Sequence, residues 1–387
     1  MINVTRLYCD KHTPGDRLRY PKKGSERKPV VVWNCTSACN LKCVHCYSEG
    51  LTTDRASELT TAQAKEMIHD LAAFGVPVLL FSGGEPLMRD DIFELASRAQ
   101  QAGIRTVLST NGTLITSAMA RKIRETGFAY VGISLDGVGD TNDEFRGVRG
   151  AFAQAVRGIE NCISIGQHVG LRFTMTGRNI GELPAIFDLI GNLDIPRACF
   201  YHLVYTGRGA DMIADDLTGD QKRQALDLII DKAAAACEGG QVRDILTVDN
   251  HCDGPYIYMR MLREKREDAP RVLELLRANG GNSSGIGIGC IDNVGNVHPD
   301  QFWQSVEFGN VRKRPFSDIW TDVSHPIMRG LKDRKQLLTG RCSASNCRWV
   351  DVCNGNFRVR ADAVHGDPWM EDPACYLSDE EISRQES

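Results

Sequence analysis

The sequence predicts an α/β fold: a partial (β/α)6 barrel followed by a small C-terminal cysteine-rich domain. Three observations carry this expectation. Short continuous runs of Val, Ile and Leu alternate with segments whose apolar residues recur every three or four positions. Six such alternations are complete before residue 206, and runs of this kind read as parallel strands covered by helices. Finally, four of the 14 cysteines gather near the end of the chain, in a stretch with few long apolar runs.

An N-terminal arm over 1–28, rich in Arg, Lys, Pro and Gly, precedes the first predicted strand at 29–34. Further strands are predicted at 77–82, 104–109, 129–135, 169–175 and 198–205, and helices at 60–74, 91–102, 116–126, 150–165 and 181–192. These elements make a barrel over 29–215, in which chemistry belongs at the C-terminal ends of the strands. Residues 216–285 read as a charged helical connection ending in the glycine-rich GGNSSGIGIG. Residues 286–387, with a hairpin turn from Asn293 to Asn296, read as a module too poor in core to hold itself together without metal.

The chain has 46 Lys and Arg against 50 Asp and Glu, a formal charge of -4, and 42% hydrophobic residues over 387 positions. That composition excludes a disordered chain. Balanced charge with no basic block argues against nucleic acid or a membrane surface as partner. No apolar run approaches the ~18 residues that span a bilayer. The N-terminus, MINVTRLYCDKHTPGDRLRY, carries charges throughout and has no apolar signal segment, so a cytoplasmic protein is expected. In that reducing compartment cysteines serve as metal ligands or core thiols rather than disulfides.

Cys39, Cys43 and Cys46 follow the first predicted strand with C-x3-C-x2-C spacing, in NCTSACNLKCVHCYSEG. Three thiolates so close together can cap three irons of a 4Fe-4S cube and leave the fourth iron open. Zinc would need four ligands, for which Cys35 or His45 could serve as the fourth. The second set is Cys342-x4-Cys347-x5-Cys353-x21-Cys375, which supplies four thiolates, enough for a closed 4Fe-4S cluster or for zinc.

The first motif, followed by the aromatic Tyr47, resembles the signature of the radical S-adenosylmethionine enzymes. The resemblance extends to Ser82-Gly83-Gly84-Glu85-Pro86 at the end of the second strand and to GISLDG at the end of the fourth. It implies that Cys39, Cys43 and Cys46 hold a catalytic cluster, and that S-adenosylmethionine binds its open iron and is cleaved to a hydrogen-abstracting radical. It also implies cofactor contacts from Gly83, Gly84, Glu85, Asn111, Ser134, Asp136, Arg146 and Arg172, with the Arg146 guanidinium matched to the cofactor's carboxylate. Asn111, Arg172 and Thr174 are expected to face the barrel mouth. The C-terminal cysteines resemble the auxiliary-cluster half of a SPASM-type extension, which makes the final module a small iron-sulfur domain. Two 4Fe-4S clusters are therefore expected. Phe357 and Asp300 stand where a second auxiliary cluster would find ligands, so one auxiliary cluster is expected, with Cys290 a spare thiol or an additional ligand.

LYCDKHTPGDRLRY, YHLVYTGRG, VHPDQFWQSVEFGNVRKRPFSDIW and CRWVDVCNGNFRVRADAVHGDPWMEDPACYLSDEEI together resemble a narrower group, the radical enzymes that modify sirohaem-derived tetrapyrroles. That implies side-chain removal from 12,18-didecarboxysirohaem: acetates to give Fe-coproporphyrin III in haem biosynthesis, or alternatively propionates toward haem d1. A SPASM-type peptide-modifying maturase is a further alternative, although the N-terminal arm is too short to fold a peptide-recognition domain. A one-electron reductant such as ferredoxin or flavodoxin is the implied partner. An iron tetrapyrrole with several carboxylates calls for arginines and an imidazole near the mouth; Arg17, Arg19, Arg208, Arg312, Arg358, Arg360 and His202 are the candidates.

Overall fold

Alternation along the strands decides which residues the sheet turns inward. The computed structural model describes residues 1–13, 15–21, 27–48 and 56–383. The six expected strands are β2 (Val30–Asn34), β3 (Val78–Ser82), β4 (Arg105–Thr110), β5 (Val131–Ser134), β6 (Val169–Met175) and β7 (Arg197–His202). They pair in parallel in chain order. Val31, Trp33, Leu79, Phe81, Leu108, Val131, Ile133, Leu171, Phe173 and Phe200 point outward into one core shared with the covering helices. Val30, Val78, Leu80, Val107 and Tyr130 point the other way and line the concave face.

The helices form for local reasons as well as for this burial. Thr60 and Gln63 form a capping box that opens the helix Thr61–Phe74, and Gly75 closes it at φ 88°. Ile92–Gln101, Ser117–Thr126, Ala151–Ile163 and Leu183–Asn192 supply the other predicted helices.

The sheet continues beyond the six strands, reaching eleven among the described residues. The segment expected to be wholly helical holds the helices Gly219–Glu238, Asp253–Arg263 and Ala269–Asn279, but also β8 (Asp244–Val248), parallel to β7. Its sequence, DILTV, is broken by Asp244 and Thr247 and lacks the continuous apolar run that β2 and β3 show, yet all five residues are buried. The arm also joins the sheet: β1 (Ile2–Asn3) runs antiparallel to β8, and Val4–Tyr8 is a buried helical turn. At the opposite edge β9 (Ile288–Ile291) adds parallel to β2, followed by the hairpin partner β10 (Asn296–His298) and β11 (Gly309–Asn310). One sheet thus runs unbroken from the arm into the cysteine-rich region.

That last region packs over the barrel mouth. Tyr47, beside Cys46, meets the Phe302 ring edge-on at 5.1 Å, and Phe302 meets Phe357 at 5.7 Å. The Arg360 guanidinium is fully buried and forks onto Asp372 at 2.8 and 2.9 Å. It also donates to the carbonyls of Leu203 and Asp249, just past the ends of β7 and β8. Among the described residues no helix is long and apolar enough to cross a membrane.

Candidate functional site

A cavity of about 490 Å3 runs from the mouth of the barrel down its concave face. Cys39, Cys43 and Cys46 stand at the mouth and lie within electrostatic reach of one another. Their loop is held by main-chain bonds on two sides. Lys42 and Val44 donate to the carbonyls of Arg146 and Phe145 at 3.0 and 2.9 Å. Before them, Gly84 N donates to Thr36 O at 2.8 Å and Glu85 N to Ala38 O at 2.7 Å.

That second contact explains the paired glycines. A Cβ on Gly83 would lie 2.4 Å from Thr36 O, and one on Gly84 2.3 Å from Ala38 O. No side chain fits between the turn and the cysteine loop.

Ser82, Gly83, Gly84, Asn111, Ser134, Arg146, Arg172, Thr174, Arg208, His202 and Arg19 all line the cavity. Glu85 and Asp136, expected to touch a cofactor, are fully buried and do not line it. Glu85 instead accepts from Thr110 Oγ1 at 2.7 Å, Asn111 N at 2.8 Å and Leu87 N at 3.1 Å, bracing the end of β4. Burial pushes its carboxyl up to about 7. Asp136 accepts from Thr174 N at 3.0 Å, ion-pairs Arg146 Nη2 at 2.5 Å, and faces His45 Nε2 at 3.2 Å. Arg146 is therefore already paired, and its Nη1 donates to Cys43 Sγ at 3.5 Å. Asn111 Nδ2 donates to Asn40 Oδ1 at 2.8 Å.

Cys35, offered as a fourth metal ligand, is wholly buried in the outer core, away from the cavity. His45 lines the cavity but is engaged by Asp136, and burial lowers its imidazole's basicity. Three thiols at a cavity mouth, with no fourth beside them among the described residues, fit a cluster with one open iron, and the polar wall around them fits a small polar cofactor.

The tetrapyrrole candidates divide. Arg208 Nε donates to Cys43 O at 2.8 Å, and its buried Nη2 has no partner. His202, the last residue of β7, gives Nε2 to Asp253 Oδ2 at 3.0 Å and keeps a buried, unpartnered Nδ1. Asp253 is held on its other oxygen by Tyr376 Oη at 2.8 Å. Arg17 is exposed on the arm and does not line the cavity. Arg312 binds the carbonyl of Ser57 at the surface, and Arg358 is buried against the carbonyls of Pro368 and Met370. Arg360 is the buried partner of Asp372. None of these four lines the cavity.

Cys342, Cys347, Cys353 and Cys375 converge in the C-terminal module, where Cys353 feels the other three electrostatically. No motif spacing marks a fifth thiol there. Cys252, a buried residue just past β8, hydrogen-bonds Cys375 and takes a hydrogen bond from Asn356 Nδ2 at 3.4 Å. Cys290 stands apart, buried on β9 near Asp292 and Asp300. Asp300 accepts from Phe302 N, Trp303 N and Ser284 Oγ, which makes it a turn brace rather than a ligand position. Asp249 was also missed, because β8 was. Its carboxyl lines the cavity with Oδ2 unpartnered, burial pushes it up to about 7, and its backbone is left-handed at φ 67°.

The profile of the Radical SAM superfamily matches residues 33–190. Among curated relatives, the Fe-coproporphyrin III synthase of Methanosarcina barkeri is 54% identical over 399 aligned positions, covering 100% of both chains. The pre-heme d1 synthase of Dinoroseobacter shibae is 45% identical, covering 91% of this chain and 87% of that one. Among solved structures, Streptococcus suis SuiB bound to its precursor peptide SuiA superposes with a TM-score of 0.70 at 16% identity, covering 90% of this chain and 76% of that one. Native anSMEcpe with bound AdoMet superposes at 0.67 and 19%, covering 90% and 93%. At these identities the structural likenesses show the fold alone.

Proposed function

The chain belongs to the radical S-adenosylmethionine superfamily, and from that premise we propose that it removes the acetate side chains of 12,18-didecarboxysirohaem to give Fe-coproporphyrin III in haem biosynthesis. It is a radical S-adenosylmethionine enzyme, of a family that carries a 4Fe-4S cluster and uses S-adenosylmethionine. The observation that carries the finer reading is the end-to-end similarity, 54% identical, to a protein named Fe-coproporphyrin III synthase.

Cys39, Cys43 and Cys46 would hold the catalytic cluster, while Gly83, Gly84, Asn111 and Ser134 offer the polar wall for S-adenosylmethionine. When bound, these groups supply one-electron, hydrogen-abstracting chemistry. The protein's own share is position. Arg146 fixes the loop through the Cys43 sulfur and the Asp136 carboxylate. Glu85 fixes Asn111 from behind. Phe302 and Phe357 close the mouth against water beside Tyr47.

His202 is the candidate axial ligand to the substrate's iron. An imidazole whose second nitrogen is held by a carboxylate is the usual arrangement of a metal-binding histidine. Arg208 and Arg19 are the candidate carboxylate partners at the cavity wall. The second cysteine set would hold a closed auxiliary 4Fe-4S cluster suited to moving an electron, with a ferredoxin- or flavodoxin-type reductant feeding the enzyme.

The test is an anaerobic incubation with 12,18-didecarboxysirohaem, S-adenosylmethionine and reductant, read by mass spectrometry. Loss of two acetates supports the proposal. Loss of propionates would instead make the protein a haem d1 pathway enzyme, a reading favoured by its 45% identity to a pre-heme d1 synthase. An unchanged tetrapyrrole would overturn both.

A further inference from the structure

The concave face of the sheet carries a basic floor well below the cysteine loop. Arg172 and Arg197 both line the cavity, with Tyr130, Tyr201 and Ser109 around them. Arg172 pairs in register with Ser134 and lies three residues before the end of β6. Its guanidinium turns back from that level to the row of Ser109 and Gly132, two residues or about 7 Å below Ser134.

The two guanidiniums differ in what neutralises them. Arg197 stands 3.5 Å from Asp244 Oδ2 and lies over the Tyr130 ring, 4.6 Å from its centroid. Arg172 donates from Nη1 to Ser109 Oγ at 2.5 Å, and its buried Nε has no partner. Among the described residues no carboxylate lies within ion-pair reach of it. A guanidinium enclosed without a counter-charge is costly, and a folded protein keeps one where an anion is to arrive.

The strands make room for it. A Cβ on Gly132 would lie 2.3 Å from Arg172 Nε, and a Cβ on Gly170 would lie 2.4 Å from Tyr130 Oη. Glycine inside a strand sacrifices packing and conformational stability, so its presence on two neighbouring inward positions marks a place where something else must fit. The same cavity is lined by apolar side chains on either side of this row, Val32, Leu80 and Val107 further down the strands and Val248 across from them. An apolar lumen with a basic group in its wall suits a flat apolar ring with carboxylates on its edge.

The geometry points to Arg172 as a substrate-docking residue that receives one peripheral carboxylate of the tetrapyrrole in a forked ion pair. This rests on the tetrapyrrole reading above and deepens it. It also departs from the sequence expectation for Arg172, which tied it to S-adenosylmethionine. The ring would stand with one edge down in the lumen and the opposite edge at the mouth, near the cofactor residues. Arg197, already neutralised by Asp244, supports the Tyr130 ring, so the uncompensated charge of this row is that of Arg172.

The experiment measures binding to the reconstituted enzyme of metal-free coproporphyrin III, a tetracarboxylate, and of its tetramethyl ester, by porphyrin fluorescence. S-adenosylmethionine binding is measured alongside. Arg172→Gln should weaken coproporphyrin III binding roughly ten- to hundredfold, the range of a charge-assisted pair. It should leave both the ester and S-adenosylmethionine affinities unchanged, so that the gap between acid and ester narrows. Arg172→Lys, which keeps the charge without the fork, should recover part of the loss and show that the site still folds. Equal coproporphyrin III affinity in wild type and Arg172→Gln overturns the docking role while leaving the tetrapyrrole reading in place. A variant that loses S-adenosylmethionine and not porphyrin returns Arg172 to the cofactor. If the wild-type enzyme binds neither porphyrin, the tetrapyrrole reading itself fails.

Discussion

Arg146 Nη2 stands 2.5 Å from Asp136 Oδ2, with both side chains buried, and the same guanidinium reaches Cys43 Sγ at 3.5 Å. One arginine thus ties the end of β5 to the loop that carries Cys39, Cys43 and Cys46. Removing it leaves Asp136 a buried charge beside His45. Arg146→Ala should destabilise the protein by about 3–5 kcal/mol, the usual result of breaking a buried pair on one side. Arg146→Ala/Asp136→Ala should recover part of that loss. Thermal melts of the two variants check this, and a double variant no better than the single would show that the pair is not the coupled unit.

Gly84→Ala puts a methyl group 2.3 Å from Ala38 O. The backbone must give, and the cysteine loop is what gives, since Glu85 N is bonded to that same carbonyl. The expected outcome is loss of about four irons per chain with the proposed auxiliary cluster retained, read by iron analysis and electron paramagnetic resonance. Full iron content would show that the loop accommodates the methyl group.

Cys252 sits against Cys375 without belonging to the spaced set. If it is a neighbour and Cys375 a ligand, wild type holds about eight irons, Cys375→Ala falls toward about four, and Cys252→Ala stays near eight. Losing a hydrogen-bond donor to the ligand sulfur should lower the auxiliary cluster's reduction potential in Cys252→Ala. Iron loss on replacing Cys252 would make it a ligand.

Glu85 carries a pH signature. Its carboxyl, ordinarily near 4.5, is raised to about 7 by burial. Between those values the unfolded chain gives up its proton while the folded one keeps it. Stability is therefore fully present below about pH 4.5 and falls as pH rises toward 7, by ~3 kcal/mol for this group. Glu85→Gln should lack that decline, so its melting temperature should gain on the wild type between pH 5 and pH 8. Parallel pH profiles for the two proteins would reject the assignment.

Much of this molecule is legible from local pattern. Strands β2 to β7 follow from apolar runs, because a strand buried on both faces needs an almost unbroken apolar stretch and the helices between them need a 3.6-residue period. β8 escaped because Asp244 and Thr247 interrupt its apolar residues, and with it went Asp249 and Cys252. The arm looked loose because its composition is polar, yet Ile2–Asn3 is an edge strand.

By itself the sequence determined the barrel, the two cysteine sets and the glycine turn, since each depends on spacing or backbone freedom over a few residues. Only the tertiary structure decided who partners whom. Asp136 neutralises Arg146, Asp372 takes Arg360 out of contention as a substrate group, and Arg172 is left without a counter-charge among the described residues, in a lumen hollowed by Gly132 and Gly170. The physical reason is that a charge's role is set by the counter-charges within a few ångströms of it. Those neighbours come from strands and loops far apart in the chain, brought together only by the closing of the sheet.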